Sequence, residues 1–326
     1  MSSYETAVKH LVNVCAALQH GEKVLVISDD NTQELGILII KTCEKIAGRV
    51  QHIVLAPLQM HGQEPGEKTA QAMLENTVCF FITGMSLAHS QACLQALANG
   101  SRCLSLPDYS WETLASPALN IDFRMLTKPA QLIADIFSHG EMAVINSGRG
   151  AKMTIPLVGG KGNAAPGWCS GPGTLASPPN AEANIAPPVG GSCGTLFVDG
   201  SIPHPKIGLL SDPLELTVAD GRVVNIRGKN HEILSSFLAS NPPECAVVAE
   251  LGVGLNPKAE MKGSMLEDEG AAGTIHIGLG ANITLGGQNS VPFHLDLVIR
   301  KATVEVDQKP LVIEGSLTEE ISQWMP

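Results

Sequence analysis

Four apolar runs recur along the first part of the chain, and each is followed by a stretch of helical character. The runs are KVLVIS (23–28), VQHIVL (50–55), VCFFIT (78–83) and RCLSL (102–106). Between them lie QELGILIIKTCEKIAG, which Asn31 or Thr32 can cap, then KTAQAMLEN, and then a stretch from Ser86 to about Ala98. Short continuous apolar runs alternating with helices predict parallel βαβ units and an open α/β sheet. A helix over about 126–138 is expected to close this domain, taken as residues 1–140.

Beyond residue 140 the pattern changes to short alternating runs: EMAVINSGRGAKMTIPLVGG, GTLFVDGSI, PLELTVADGRVVNIRG, ECAVVAELGVG and GTIHIGLG. The ADGR step predicts a hairpin, because a tight turn there needs positive φ. One helix, HEILSSFLAS, interrupts the strands. Residues 141–326 therefore read as a β-rich domain. Within it, 159–194 is rich in Gly and Pro and too long for a tight connection, which suits a fixed irregular path over a site, either a lid or a partner surface.

Polar residues stand where this pattern calls for apolar ones. In NSVPFHLDLVIR (289–300), His294 and Asp296 share one strand face, while Phe293, Leu295 and Leu297 form an ordinary core face. Glu250 ends the run CAVVAE, His276 lies inside GTIHIGLG, and Glu182 lies in NAEANIAPP. Glu267, Asp268 and Glu269 form an acidic run of the kind that is usually a solvated turn. Carboxylates and imidazoles brought together from separate strands are how a divalent metal site is built, and an unpaired buried set would be costly.

The totals narrow the classes. The chain has 326 residues, a length for which two domains are the default, with 44% hydrophobic and 16% charged residues. A net charge of −11 and only 4% aromatic residues argue against a nucleic-acid partner. No run approaches the ~18 apolar residues of a membrane span. The N-terminal stretch reads as an amphipathic helix rather than a signal peptide, so a cytoplasmic location is expected. The eight cysteines include no C-x-x-C pair, and buried free thiols are expected. GLGANITLGG does not open a helix after a first strand, so it makes a poor dinucleotide fingerprint. GSCG and SGPG lack the strand–turn–helix context of a nucleophile loop.

Taken together, AELGVGLNP, LEDEGAAGTIHIGLG and GGQNSVPFHLD resemble the signature of aminopeptidase T-type metallopeptidases, a superfamily that includes the 2,5-dihydroxypyridine 5,6-dioxygenases. GEKVLVISDDNTQE resembles their N-terminal α/β domain. The resemblance covers most of the chain and implies an α/β domain joined to a β-rich metal-binding domain, in a homo-oligomer. Likeness to the peptidases implies two divalent ions, such as Zn, Co or Mn, held by Glu182, Glu250, Glu269, His276, His294 and Asp296. Likeness to the dioxygenases implies one Fe(II) held by Glu250, His294 and Asp296, with substrate and O₂ at open positions and His276 or Glu182 handling protons.

Two features favour the dioxygenase side. The step from Glu269 to His276 is longer than in the peptidase pattern. That pattern also carries a tyrosine soon after the histidine, whereas this chain has only Tyr4 and Tyr109. The expectation is therefore a mononuclear iron dioxygenase opening a hydroxylated N-heteroaromatic ring. A two-metal aminopeptidase and a non-catalytic, metal-stabilised binding protein are the alternatives.

Overall fold

The computed structural model describes residues 3–204, 206–229, 231–291 and 293–326. Met1 and Ser2 of the expected N-terminal helix, and Pro292 of the stretch 289–300, lie outside the described residues. The chain divides into two compact units, one formed by Met1–Arg124 with Gly167–Pro179, the other by Met125–Pro166 with Asn180–Pro326.

The first unit is built on a five-stranded parallel sheet. Its strands run in the order Arg49–Leu55, Lys23–Asp29, Val78–Ile82, Arg102–Ser105 and Leu175–Ala176. The central strands are fully buried, as their unbroken apolar runs require of a sheet covered on both faces. Leu25, Ile27, Met73, Phe81 and Leu87 form the core on one side, with Cys79, Cys93 and Cys103 among them. All eight cysteines are free, and all but Cys193 are buried.

The helix Gln33–Cys43 begins after Thr32, but the hydroxyl of Thr32 does not cap it. It bonds instead to the Ile82 carbonyl, while Asp29 Oδ1 accepts from the amides of Asn31 and Thr32. The helix expected from Ser86 starts at Gln91. Ser90 is its cap, its hydroxyl accepting from Cys93 N at 3.1 Å.

The second unit contains two antiparallel sheets, one of eight strands and one of seven. The ADGR hairpin forms as expected. Leu214–Ala219 pairs with Arg222–Arg227 through Asp220 and Gly221, both at positive φ. The seven-stranded sheet carries in sequence Gly162–Ala165, Glu182–Ile185, Val248–Gly254, Ile275–Gly280 and His294–Ile299 as spatial neighbours.

Two larger features also depart from the sequence reading. The helix Thr127–His139 belongs to the second unit, packed on Gly162–Ala165 and Glu182–Ile185, and does not close the first. Gly162 permits that packing, since a Cβ there would lie 2.0 Å from the Ala134 carbonyl oxygen. The segment 159–194 is not one irregular loop. It contributes Leu175–Ala176 to the sheet of the first unit, and to the second two adjacent strands and the start of Cys193–Val198. No helix among the described residues is long and apolar enough to cross a membrane.

Candidate metal centre

The strand register of the second unit explains the motifs residue by residue. Glu250 pairs with Gly278, and Gly278 pairs with Asp296. Gly252 pairs with His276 and with Asn184, while Gly254 pairs with Glu182 and Gly280 with His294. Residues paired directly across a sheet share a face. Glu182, Glu250, His276, His294 and Asp296 therefore rise from one face of four adjacent strands. The opposite face is apolar, with Ile185, Leu251, Val253, Ile277, Leu279, Leu295 and Leu297 buried.

The glycines of LGVG and HIGLG create the space this cluster occupies. A Cβ on Gly278 would stand 2.8 Å from Glu250 Cβ, 2.9 Å from His294 Cε1 and 3.1 Å from Asp296 Oδ1. A Cβ on Gly252 would stand 2.0 Å from His276 Nε2. Bare backbone at these positions lets large polar side chains lie over neighbouring strands without a clash.

Two triads share Glu250. In the first, His294 Nε2 is 3.2 Å from Glu250 Oε2 and 3.3 Å from Asp296 Oδ1. In the second, His276 Nε2 is 3.3 Å from Glu182 Oε2 and 3.5 Å from Glu250 Oε1. Within each group the donor atoms lie within 4.8 Å of one another. The Nδ1 of His294 lies 2.7 Å from the Ala281 carbonyl oxygen. A carbonyl can only accept, so Nδ1 keeps its proton, and Nε2 is the nitrogen that faces the cluster and becomes a ligand once its own proton leaves, the arrangement that orients metal-binding histidines.

Electrostatics hold these groups as a coupled set. Burial drives the Glu182 carboxyl up; His276 opposes and Glu250 adds to the rise, leaving it at about 7. Burial works to lower His276, but the Glu182 and Glu250 carboxylates overcome it and hold the imidazole up to about 9. His294 is likewise raised well above its ordinary value against burial, by Asp296 and Glu250. Burial would raise Asp296 and Glu250, yet the histidines beside them hold both below the usual carboxylate range. In the metal-free chain, protonated imidazoles thus supply the positive charge that four closely set carboxyl groups require.

A divalent ion fits the same donors. Bonds of about 2.1 Å hold adjacent ligand atoms roughly 3 Å apart, which matches the spacing around His294. Glu269 Oε1 and His276 Nδ1 are buried without a hydrogen-bond partner, and Glu182 Oε2 and Asp296 Oδ1 have only the imidazoles, each at 3.3 Å. Buried acceptors with no donor are costly unless a cation serves them. One nitrogen with several carboxylate oxygens is a donor set that suits iron(II), manganese and zinc.

The acidic run behaves differently from the solvated turn expected. All three of its residues are buried, and they point to different partners. Glu267 pairs with Lys262 at 3.2 Å. Asp268 accepts from Ser201 Oγ and from the amides of Lys262 and Gly263, a structural role. Glu269 alone reaches the cluster. It shares a hydrogen bond with Asp296, and burial, Asp296 and Glu182 together push its carboxyl well above the ordinary range.

Sequence reasoning overlooked Asn184, whose amide donates to Glu182 Oε1 at 2.7 Å. Its signal was present, since Asn184 lies two residues beyond Glu182 and so shares its face in a strand. Reading that segment as an irregular loop concealed the alternation.

Comparison with known proteins places this architecture. A family model described as NicX, 2,5-dihydroxypyridine 5,6-dioxygenase, matches residues 4–319. A curated 2,5-dihydroxypyridine 5,6-dioxygenase of Pseudomonas putida (strain KT2440) is 25% identical over 264 residues, spanning 77% of this chain and 74% of the relative. The solved structure of the 2,5-dihydroxypyridine dioxygenase from Pseudomonas putida KT2440 superposes with a TM-score of 0.84 at 18% identity, covering 98% of each chain. Wild-type AmpT from Thermus thermophilus superposes with a TM-score of 0.70 at 15% identity, covering 97% of this chain and 99% of its own. The fold is common to the dioxygenase and to AmpT.

Proposed function

The chain belongs to the 2,5-dihydroxypyridine 5,6-dioxygenase family, and from that premise we propose that it is an iron(II)-dependent enzyme that uses O₂ to open a hydroxylated N-heteroaromatic ring. Glu250, His294 and Asp296 would hold the ion. The observation that carries this reading is His294 set between the two carboxylates at 3.2 and 3.3 Å, with Nδ1 engaged by the Ala281 carbonyl. Such a one-histidine, two-carboxylate variant of the facial triad supplies, when loaded, open positions at which an electron-rich ring and O₂ meet.

The chain's own residues do the rest. His294 and the two carboxylates are oriented before any ligand arrives, because three adjacent strands and a backbone carbonyl fix them. Glu182 and His276 face each other beside the triad. They take and return the protons of the ring hydroxyl and of the opened product, a role suited to Glu182, whose carboxyl stands at about 7, with His276 as its proton partner. The same reading carries two further proposals, a homo-oligomeric assembly and a cytoplasmic location.

A second reading has an observation in its favour. Glu250 turns one oxygen to each histidine, and with Glu182, Glu269 and Asp296 these residues make a six-residue set that would hold two ions. That arrangement would suit a two-metal aminopeptidase, where the ions would supply an activated water for amide hydrolysis. The absence of any tyrosine after His276 weighs against it.

Metal content per chain separates the two. Protein prepared without oxygen is reconstituted with Fe(II), Zn(II) or Mn(II) in turn. About one Fe(II), lost in Glu250→Ala, together with oxygen uptake on hydroxypyridines, supports the dioxygenase. About two Zn or Mn ions with release of leucine from a dipeptide supports the peptidase. No stoichiometric metal sinks both and leaves a non-catalytic binding protein.

A further inference from the structure

The stretch GLGANITLGGQN, which fits no nucleotide fingerprint, holds the clue to how the cluster is aimed. Its backbone is pinned by two buried asparagines. Asn282 Nδ2 donates to the Ala249 carbonyl at 3.2 Å, and its Oδ1 accepts from Asn289 N at 2.8 Å. Asn289 Nδ2 donates to the carbonyls of Gly280 and Glu244 at 2.6 and 2.9 Å. Gly287 is needed for this packing, since a Cβ there would lie 2.2 Å from the Asn282 amide. Segment 281–289 is thereby fixed to two neighbouring strands.

From that fixed segment two carbonyl groups reach toward the cluster. One, on Ala281, accepts from His294 Nδ1 at 2.7 Å. The other, on Leu285, accepts from Asn163 Nδ2 at 3.1 Å. The same Asn163 amide nitrogen lies 3.2 Å from Asn184 Oδ1, and Asn184 Nδ2 lies 2.7 Å from Glu182 Oε1. The direction of this chain follows from chemistry. The Leu285 carbonyl can only accept, so the Asn163 atom facing it is the NH₂ group. That group then meets the oxygen of Asn184, which leaves the Asn184 NH₂ group aimed at Glu182.

We infer that Asn163 and Asn184 are positioning residues which, anchored on Leu285, hold Glu182 with Oε1 occupied and Oε2 turned to His276. Segment 281–289 then aims both halves of the cluster, His294 directly and Glu182 through two amides. Asn184 is buried and faces the same side of the sheet as Glu182, so no solvent competes for its amide. The role assigned to Glu182 rests on the reading of the site given above; the geometric part does not.

Two measurements test this separately. The first is a crystal structure of Asn184→Leu, with Asn163→Leu as the second variant should the first fail to fold. The inference expects Glu182 to leave its place beside His276 Nε2 in either variant, while His294 keeps its bond to Ala281. Glu182 unmoved in both overturns it, whatever the substrate proves to be. The second is a double-mutant cycle on hydroxypyridine turnover. Asn184→Leu is expected to lower kcat about 10–100-fold with KM within about two-fold, and to add less than about two-fold on top of Glu182→Gln. Additive losses would show that Asn184 acts otherwise than through Glu182. Turnover absent in the unaltered protein, with Glu182 displaced in the variant structure, removes the dioxygenase reading and leaves the positioning intact.

Discussion

Gly252 lies directly across the strand pair from His276, and its missing side chain is what lets the imidazole lie over the sheet. A Cβ at Gly252 would be 2.0 Å from His276 Nε2, and one at Gly278 would press on Glu250, His294 and Asp296 together. Gly252→Ala and Gly278→Ala are therefore expected to destabilise the chain by about 1–3 kcal/mol, the usual cost of overpacking. Both are expected to weaken metal binding at least ten-fold, because the donors must swing aside. Gly171→Ala is the control, since a Cβ there meets open space. Denaturant midpoints and metal titrations of the three variants check this, and an unchanged Gly252→Ala would show that His276 is free to sit elsewhere.

His294 has the one imidazole nitrogen in the cluster whose partner nitrogen is engaged by a backbone carbonyl. His294→Ala is expected to abolish stoichiometric iron and turnover together. His276→Ala, under the mononuclear reading, is expected to keep about one Fe(II) per chain while turnover falls by roughly 10²–10⁴-fold, the range of a lost proton-transfer group. Iron analysis alongside oxygen uptake decides it. Loss of metal in both variants would favour the two-ion arrangement.

The sequence patterns that survived folding were those whose cause is local. The runs at 23–28 and 50–55 each appear as strands within a residue of their expected bounds, because a continuous apolar run between polar turns has few other fates. His294 and Asp296 share a face because strand periodicity makes them do so. What escaped was set by distant partners. The apolar stripe of Thr127–His139 declares that the helix is buried, but only tertiary packing on Gly162–Ala165 and Glu182–Ile185 decides which unit holds it. The strands within 159–194 are two to four residues of mostly small side chains, too short for periodicity to register. Asp268 reads as a surface charge because its donors, Ser201 and the amides of 262–263, are not adjacent to it in the pattern.

That burial gives Asp268 a test which separates it from Glu269, its neighbour in sequence. Asp268→Ala leaves the amides of Lys262 and Gly263 and the hydroxyl of Ser201 without their acceptor. A loss of about 3 kcal/mol in folding stability is expected, with metal stoichiometry unchanged at a temperature where the variant is folded. Glu269→Gln should do the reverse, altering metal binding with a smaller effect on stability. Thermal unfolding and metal analysis of the pair distinguish a structural acid from a member of the cluster.

The final prediction concerns pH and the metal-free chain. His276 stands at about 9 and His294 well above its ordinary value, both through carboxylates that favour the protonated ring. A raised folded-state value contributes stability that is complete below the unfolded value near 6.5 and disappears as pH rises through the folded one. Glu182, raised to about 7, acts in the same direction from about pH 4.5 upward. Asp296 and Glu250, both lowered, act oppositely, and their contribution is lost only as pH falls below the ordinary carboxylate range. With chelator present, stability is therefore expected to fall between pH 6 and pH 9, on the order of 3 kcal/mol from His276 alone. A bound divalent ion takes over the work of the two protons, and its affinity grows as they leave. Saturating Mn(II) should accordingly flatten or invert the slope. Urea midpoints at pH 6 and pH 9, with EDTA or with Mn(II), read the effect directly; parallel slopes in the two conditions would show that the imidazoles and the ion do not share these carboxylates.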